Sequence, residues 1–219
     1  MAGKQKLYFG ILDKKRVEIL PGLEFLRRGY GFYLAGGTAL ALQIGHRTSL
    51  DFDFYCRREF DAGKVLESFR DGLGQVTLIQ GLSSNTLIVR IRGIEISLFY
   101  YRYPLVKKAV RIEYIDLASK EDIAAMKLIA IIQRGKMRDF IDLYFLMKEF
   151  TLDEIFGWTK RKFSAFNPYL GLRALTFFKD AEDEIRGHRF RLMKKVDWPL
   201  VKQDILKRVS EYTRKGLVR

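Results

Sequence analysis

Residues 34–55 read Leu-Ala-Gly-Gly-Thr-Ala-Leu-Ala-Leu-Gln-Ile-Gly-His-Arg-Thr-Ser-Leu-Asp-Phe-Asp-Phe-Tyr, and they restrict what the chain can fold into more than any other stretch. The apolar run 32–35 stops at Gly36-Gly37-Thr38, which reads as a short strand ending in a turn. Small and aliphatic residues over 37–44 read as a helix that follows at once. The pattern then changes to strict alternation, which predicts a strand over 50–55. On that strand Asp51 and Asp53 share one face, and Phe52 and Phe54 share the other.

Two neighbouring carboxylates repel each other, and burial penalises both charges. A divalent cation removes the conflict, and hard oxygen ligands suit Mg²⁺ or Mn²⁺. The Gly36-Gly37-Thr38 turn offers backbone N–H groups at the positive end of a helix, which suits phosphate. A phosphate grip beside a metal-binding carboxylate pair is the equipment of nucleotidyl transfer.

That pattern resembles the polymerase-β-like nucleotidyltransferase superfamily, whose signature is a Gly-Gly or Gly-Ser turn, a spacer and Asp-x-Asp. It is most similar to the AbiEii/AbiGii toxin branch, through Gly-Gly-Thr-Ala-Leu-Ala-Leu and His-Arg-Thr-Ser-Leu-Asp-Phe-Asp-Phe as they stand here. A second block supports it: residues 123–146 carry Lys127-Leu128, Arg134-Gly135 and Arg138-Asp139-Phe140-Ile141-Asp142-Leu143, similar to the family's Lys-Leu-x-Ala, Arg-Gly and Asp-x-x-Asp-Leu segment. The resemblance spans about residues 25–150. It implies an α/β (α+β) fold, with a mixed sheet and flanking helices followed by a helical C-terminal unit. It further implies an NTP substrate, a divalent cation, an acceptor such as the 3′ end of tRNA, and a toxin restrained by an antitoxin protein.

The balance of charge fits a polyanionic partner. The formal net charge is +14 and the pI about 9.8. Residues 151–219 hold sixteen Lys/Arg against nine Asp/Glu, the largest local excess. There Arg161, Lys162, Arg173, Arg186, Arg189, Arg191, Lys194 and Lys195 lie among Phe163, Phe166, Tyr169 and Phe190, a mixture that suits an RNA backbone with stacked bases. A solvated surface with aromatic residues in the core is the alternative. A single cysteine, Cys56, rules out an internal disulfide and a cysteine-based zinc site, and suits a reducing cytoplasm. Apolar runs fall far short of a bilayer span, and no signal peptide is evident, so no membrane association is expected.

The rest of the chain organises around these blocks. Residues 5–29 read as helix interrupted near Pro21-Gly22. An amphipathic helix over 60–72 turns Phe60, Val65, Leu66 and Phe69 to one side. Residues 75–80 read as a strand. Strands over 85–91 and 94–100 are joined by Arg92-Gly93 as a hairpin, and 109–115 reads as one further short strand. A helix starts after Ser119 and turns at Arg134-Gly135-Lys136, with helix resuming over 137–149. Thr151-x-x-Glu154 is a capping box, and only helices follow, with breaks at Gly157, Asn167-Pro168, Gly187 and Trp198-Pro199. This places an α/β nucleotidyltransferase unit at 1–117 and a helical unit at 118–219.

Candidate site residues follow. Asp51 and Asp53 are the metal ligands and catalytic carboxylates. Gly36, Gly37 and Thr38 are the phosphate turn. Arg47 fits either a phosphate contact or a surface position. Ser49 fits a phosphate contact, a role in orienting Asp51, or a simple turn. The superfamily places a third Asp on a later strand, where this sequence has Ser97. Glu95, on the same face one pleat earlier, is either a substitute metal ligand or a strand residue paired with Arg90 or Arg92. Lys127 stands in an apolar helical context and needs a partner or a route to solvent. The family's matching lysine implies contact with the triphosphate. Asp139 and Asp142 lie three apart on one helix. The resemblance makes them active-site acids, and a structural ion pair with Arg134 or Arg138 is the other reading.

Two classes of function fit these residues. One is an Mg²⁺-dependent enzyme moving an NMP group from an NTP to a hydroxyl. The other is a decayed transferase fold that binds RNA or nucleotide without catalysis, which the serine at position 97 favours and the intact Asp-x-Asp opposes.

Overall fold

Phe52, Phe54 and Cys56 alternate with Asp53 and Tyr55 along one strand, and the first three are buried while the other two are half-buried. Each fully buried Phe contributes about 2–3 kcal/mol of apolar transfer energy, which fixes this face inward and sets the register. A computed structural model describes residues 6–83, 85–183 and 190–217. Arg186, Gly187 and Arg189 lie outside the described residues. The chain divides into two compact units, Met1–Ser119 and Lys120–Arg219.

In the first unit, the described strands are β1 (Tyr33–Ala35), β2 (Phe52–Cys56), β3 (Val76–Ser83), β4 (Thr86–Ile91), β5 (Ile94–Tyr100), β6 (Val110–Arg111) and β7 (Asp116–Leu117). They form one mixed sheet in the order β3-β4-β5-β2-β1-β7-β6. β2 pairs parallel with β5 and antiparallel with β1, so the Asp-x-Asp strand lies near the middle of the sheet. Arg92 and Gly93 both take positive φ, 52° and 81°, as a type I′ hairpin turn between β4 and β5 requires. The strand expected over 109–115 is reduced to the two residues of β6, which pair antiparallel with β7 just beyond that stretch.

Helices α1 (Lys14–Ile19) and α2 (Glu24–Tyr30) flank a 3₁₀ turn over Leu20–Leu23, where Pro21 and Gly22 interrupt the α-helix. α3 (Gly36–Ile44) packs on β1 and β2. α4 (Ala62–Leu73) is capped by the Asp61 carboxylate and lies on β3 and β4, burying Val65, Leu66 and Phe69.

The second unit is helical: α5 (Lys120–Arg134), α6 (Met137–Leu146), α7 (Leu152–Lys162), α8 (Pro168–Leu175), α9 (Lys179–Asp183) and α10 (Trp198–Leu217). α5 packs on α6, α7 and α8, and α10 lies against α6, α7 and α8. Gly135, at φ 53°, makes the sharp turn between α5 and α6. The Thr151–Glu154 capping box opens α7. Among the described residues no helix is long and apolar enough to cross a membrane.

Candidate active site

The site in the sheet unit is built where β1 gives way to α3. Gly36 takes φ +68°, a left-handed conformation that strains any side chain. A Cβ there would stand 3.2 Å from Asp53 Oδ2, so the carboxylate is set against the backbone of the helix's first turn. The pairing of Ala35 with Asp53 across β1 and β2 produces this approach. α3 has no side-chain cap, so no side chain of its N-cap residue, Ala35, accepts from the first-turn N–H groups.

Three side chains tie the loop 45–51 to that turn. The Thr38 hydroxyl donates to the Asp51 carbonyl and shares a hydrogen bond with Ser49 Oγ at 2.8 Å. With its carbonyl taken by Thr38, Asp51 lies just before β2, and the strand starts at Phe52 instead of residue 50. Arg47 is only 3% exposed, which removes the surface reading. Its Nη1 donates to the Thr48 carbonyl at 3.0 Å, and its Nη2 fills the space that a Cβ on Gly37 would need. A side chain at Gly36 would press on Asp53 and strain a left-handed backbone, and one at Gly37 would displace the Arg47 guanidinium. Asp51 is exposed and Asp53 half-buried.

The register of β2 and β5 sets Ser97 directly beside Asp53. Glu95, two residues earlier, faces Arg90 across the β4–β5 hairpin, and the two form an ion pair at 3.2 Å. Among the described residues no group of three or more His, Cys, Asp or Glu is assembled to hold a metal ion. Asp53 sets a hard oxygen donor against the uncapped start of α3, and Asp51 supplies a second carboxylate two residues earlier in the chain; such donors fit a divalent cation.

The helical unit holds a second cluster. Lys127 on α5 is 5% exposed, and its Nζ lies 2.7 Å from Asp139 Oδ1 and 2.7 Å from Asp142 Oδ2 on α6. Arg134 reaches Asp139 through Nε at 2.9 Å and Nη2 at 3.2 Å. Both carboxylates are fully buried. Burial alone would raise the pKa of Asp139, but the Lys127 charge and the Arg134 hydrogen bond and charge outweigh it and hold the carboxyl below its ordinary value. An ammonium has three donors, and Asp139 and Asp142 take two of them.

A third buried charge pair was not legible as such. Lys162 Nζ meets Asp122 Oδ1 at 2.9 Å, with both side chains inaccessible. Lys162 is therefore removed from the basic surface expected of the C-terminal unit. Its burial could have been read from spacing: Leu152, Ile155, Phe156, Thr159 and Lys162 form one helical stripe, and all five are buried. The adjacent Lys160 and Arg161 disguised it as part of a solvated run.

Comparison with known proteins agrees with the fold. A family model described as nucleotidyl transferase AbiEii toxin, Type IV TA system, matches residues 19–211. An uncharacterized protein of Aquifex aeolicus (strain VF5) is 37% identical over 180 residues, which span 80% of this chain and 86% of that protein. Among solved structures, a candidate nucleotidyltransferase from H. pylori superposes with a TM-score of 0.60 at 21% identity, covering 93% of this chain and 97% of that one. MenT4, a nucleotidyltransferase toxin from Mycobacterium tuberculosis H37Rv, gives 0.57 at 17% identity, covering 88% and 80%.

Proposed function

The chain belongs to the AbiEii nucleotidyl transferase toxin family, and from that premise we propose that it moves an NMP group from an NTP, bound with Mg²⁺ or Mn²⁺, onto the 3′ hydroxyl of tRNA or another RNA, under the restraint of an antitoxin protein in the cytoplasm. Family membership makes it a nucleotidyltransferase enzyme of a toxin class. The acceptor, the cation and the residue roles are the proposal.

One observation carries the assignment of roles: Asp53 is set against Gly36 at the uncapped start of α3. The first-turn N–H groups of α3 would take triphosphate oxygens. Asp51 and Asp53 would hold the cation. When bound, it neutralises charge on the attacking and leaving oxygens. Thr38 fixes Asp51 through its carbonyl, and Ser49 supports Thr38. In the helical unit, Lys127 keeps one ammonium donor beyond Asp139 and Asp142, which suits a phosphate oxygen. The acceptor hydroxyl then bonds to the α-phosphorus, the bond to pyrophosphate breaks, and pyrophosphate leaves. A serine beside Asp53 is no base, so the hydroxyl proton passes to the Asp51–Asp53 pair or to water. Catalysis is chiefly positioning and charge neutralisation.

Thermal denaturation with NTP and Mg²⁺ tests this arrangement. The parent should gain melting temperature only when both are present, and Asp51→Asn and Asp53→Asn should each lose the gain. Parental shifts in both variants would move the site elsewhere.

A further inference from the structure

Beyond the carboxylates, the same face of the sheet carries a continuous run of aromatic rings. Alternation puts Tyr55 on the side of β2 that carries Asp53, and Phe99 on the side of β5 that carries Ser97. Tyr55 and Phe99 are paired in register, and their rings lie 5.3 Å apart. The chain leaves β5 through Tyr101, whose backbone N–H donates to the Cys56 carbonyl at 2.7 Å and so extends the pairing. The Tyr101 ring meets Tyr55 edge-on at 5.1 Å, and Tyr103 meets Tyr101 edge-on at 5.0 Å. All four residues are half-buried. From Ser97 to Tyr101 the strand advances about 13 Å, so the run leads away from the carboxylate pair.

Two arginines lie in the chain next to the far end of that run. β2 and β5 are parallel, so the segments that follow them leave the same end of the sheet. Arg57 follows β2 and Arg102 follows β5, and both are exposed. The Arg102 guanidinium lies 5.3 Å from the centre of the Tyr103 ring. Residues 101–112 contain no Asp or Glu. Charge totals over long segments hide this cluster, because acids elsewhere in the sheet unit offset it.

We propose that Tyr55, Phe99, Tyr101 and Tyr103 are the stacking platform for the unpaired 3′ end of the acceptor RNA, with Arg57 and Arg102 gripping its phosphates. This rests on the reading of the chain as a transferase acting on RNA and names the form of RNA it takes. Rings with accessible faces accept unpaired bases, and a cationic rim tracks the backbone. Paired bases are already stacked and cannot splay onto the rings. A single strand lying along the run would point its end at Asp53.

Binding of a fluorescein-labelled ten-nucleotide RNA to the full chain, read by anisotropy, tests the platform without any chemistry. The parent should bind the single strand at least ten-fold tighter than the same sequence in a duplex. Tyr101→Leu and Tyr103→Leu should each weaken single-strand binding about ten-fold, and Tyr101→Phe should restore it. Arg102→Gln and Arg57→Gln should each lower the salt slope by about 0.7. The melting shift with NTP and Mg²⁺ should persist in all of them, which also reports that they fold. Parental affinity in both leucine variants, or equal binding of duplex, would overturn the platform. Loss of RNA labelling in the parent would instead overturn the transfer reading, and leave a platform supported by the leucine variants standing.

Discussion

Gly36 lies tightly against Asp53: a Cβ on Gly36 would stand 3.2 Å from Asp53 Oδ2, close enough to push the carboxylate aside, at a backbone φ of +68°. Gly36→Ala should therefore cost about 1–2 kcal/mol from the left-handed backbone alone. Displacing the carboxylate should also remove the melting shift produced by NTP and Mg²⁺. Urea unfolding with and without NTP checks both effects. An alanine variant with parental stability and a parental NTP response would contradict the close approach.

The buried cluster on α5 and α6 makes a prediction with a defined sign in pH. Asp139 is held below its ordinary value of 3.8 when folded, despite burial, by Lys127 and Arg134. A carboxyl with a depressed folded pKa stabilises fully above its unfolded pKa and loses that contribution as pH falls through the folded value. Asp139→Asn should cost about 3 kcal/mol at pH 7, because it leaves the buried Lys127 undercompensated. The gap between parent and variant should narrow as pH falls below about 4. Denaturation at several pH values would show this, and a gap that is flat from pH 7 to 3 would contradict it.

Lys162 should behave as a structural residue. Lys162→Met should destabilise by about 3 kcal/mol, because it strands the buried Asp122, and adding Asp122→Leu should recover much of the loss. Lys195→Gln, at an exposed position, should change stability by less than about 0.5 kcal/mol. Guanidinium unfolding of the four proteins decides it, and a neutral Lys162→Met would refute the buried pair.

Cys56 is buried on β2, and its thiol donates to the Arg58 carbonyl at 2.9 Å. Desolvation pushes its pKa up to about 11, against the weaker lowering effect of Arg58. Alkylation by iodoacetamide at pH 8 should be negligible in the folded chain and rapid in denaturant. Comparable labelling of both states would place Cys56 at the surface.

Local signals were the legible ones. The strand–turn–helix–strand at 32–55, the Arg92-Gly93 hairpin, the apolar face of α4 and the Thr151–Glu154 box each lie within one short window, where period and turn chemistry act directly. Pairings between distant residues were not. Lys162 with Asp122 is forty residues apart, and nothing local in either marks the other. Lys127 could be read as needing a partner, but not that Asp139 and Asp142 both reach it. Glu95 was legible only as a choice between a metal and an arginine, and the pairing register of β4 and β5 places it against Arg90. β6 and β7 are two residues each, too short to show alternation, so the stretch 109–115 signals β6 alone and at excess length.

The most direct measurement of the central claim is transfer of label from each of the four α-³²P NTPs onto purified tRNA, with Mg²⁺ and with Mn²⁺, by the parent, Asp53→Asn and Lys127→Met. The expected result is labelled tRNA with at least one NTP, lost without the divalent cation and reduced at least a hundred-fold in both variants. Unlabelled RNA with every NTP and either cation, or labelling that survives Asp53→Asn, would contradict it.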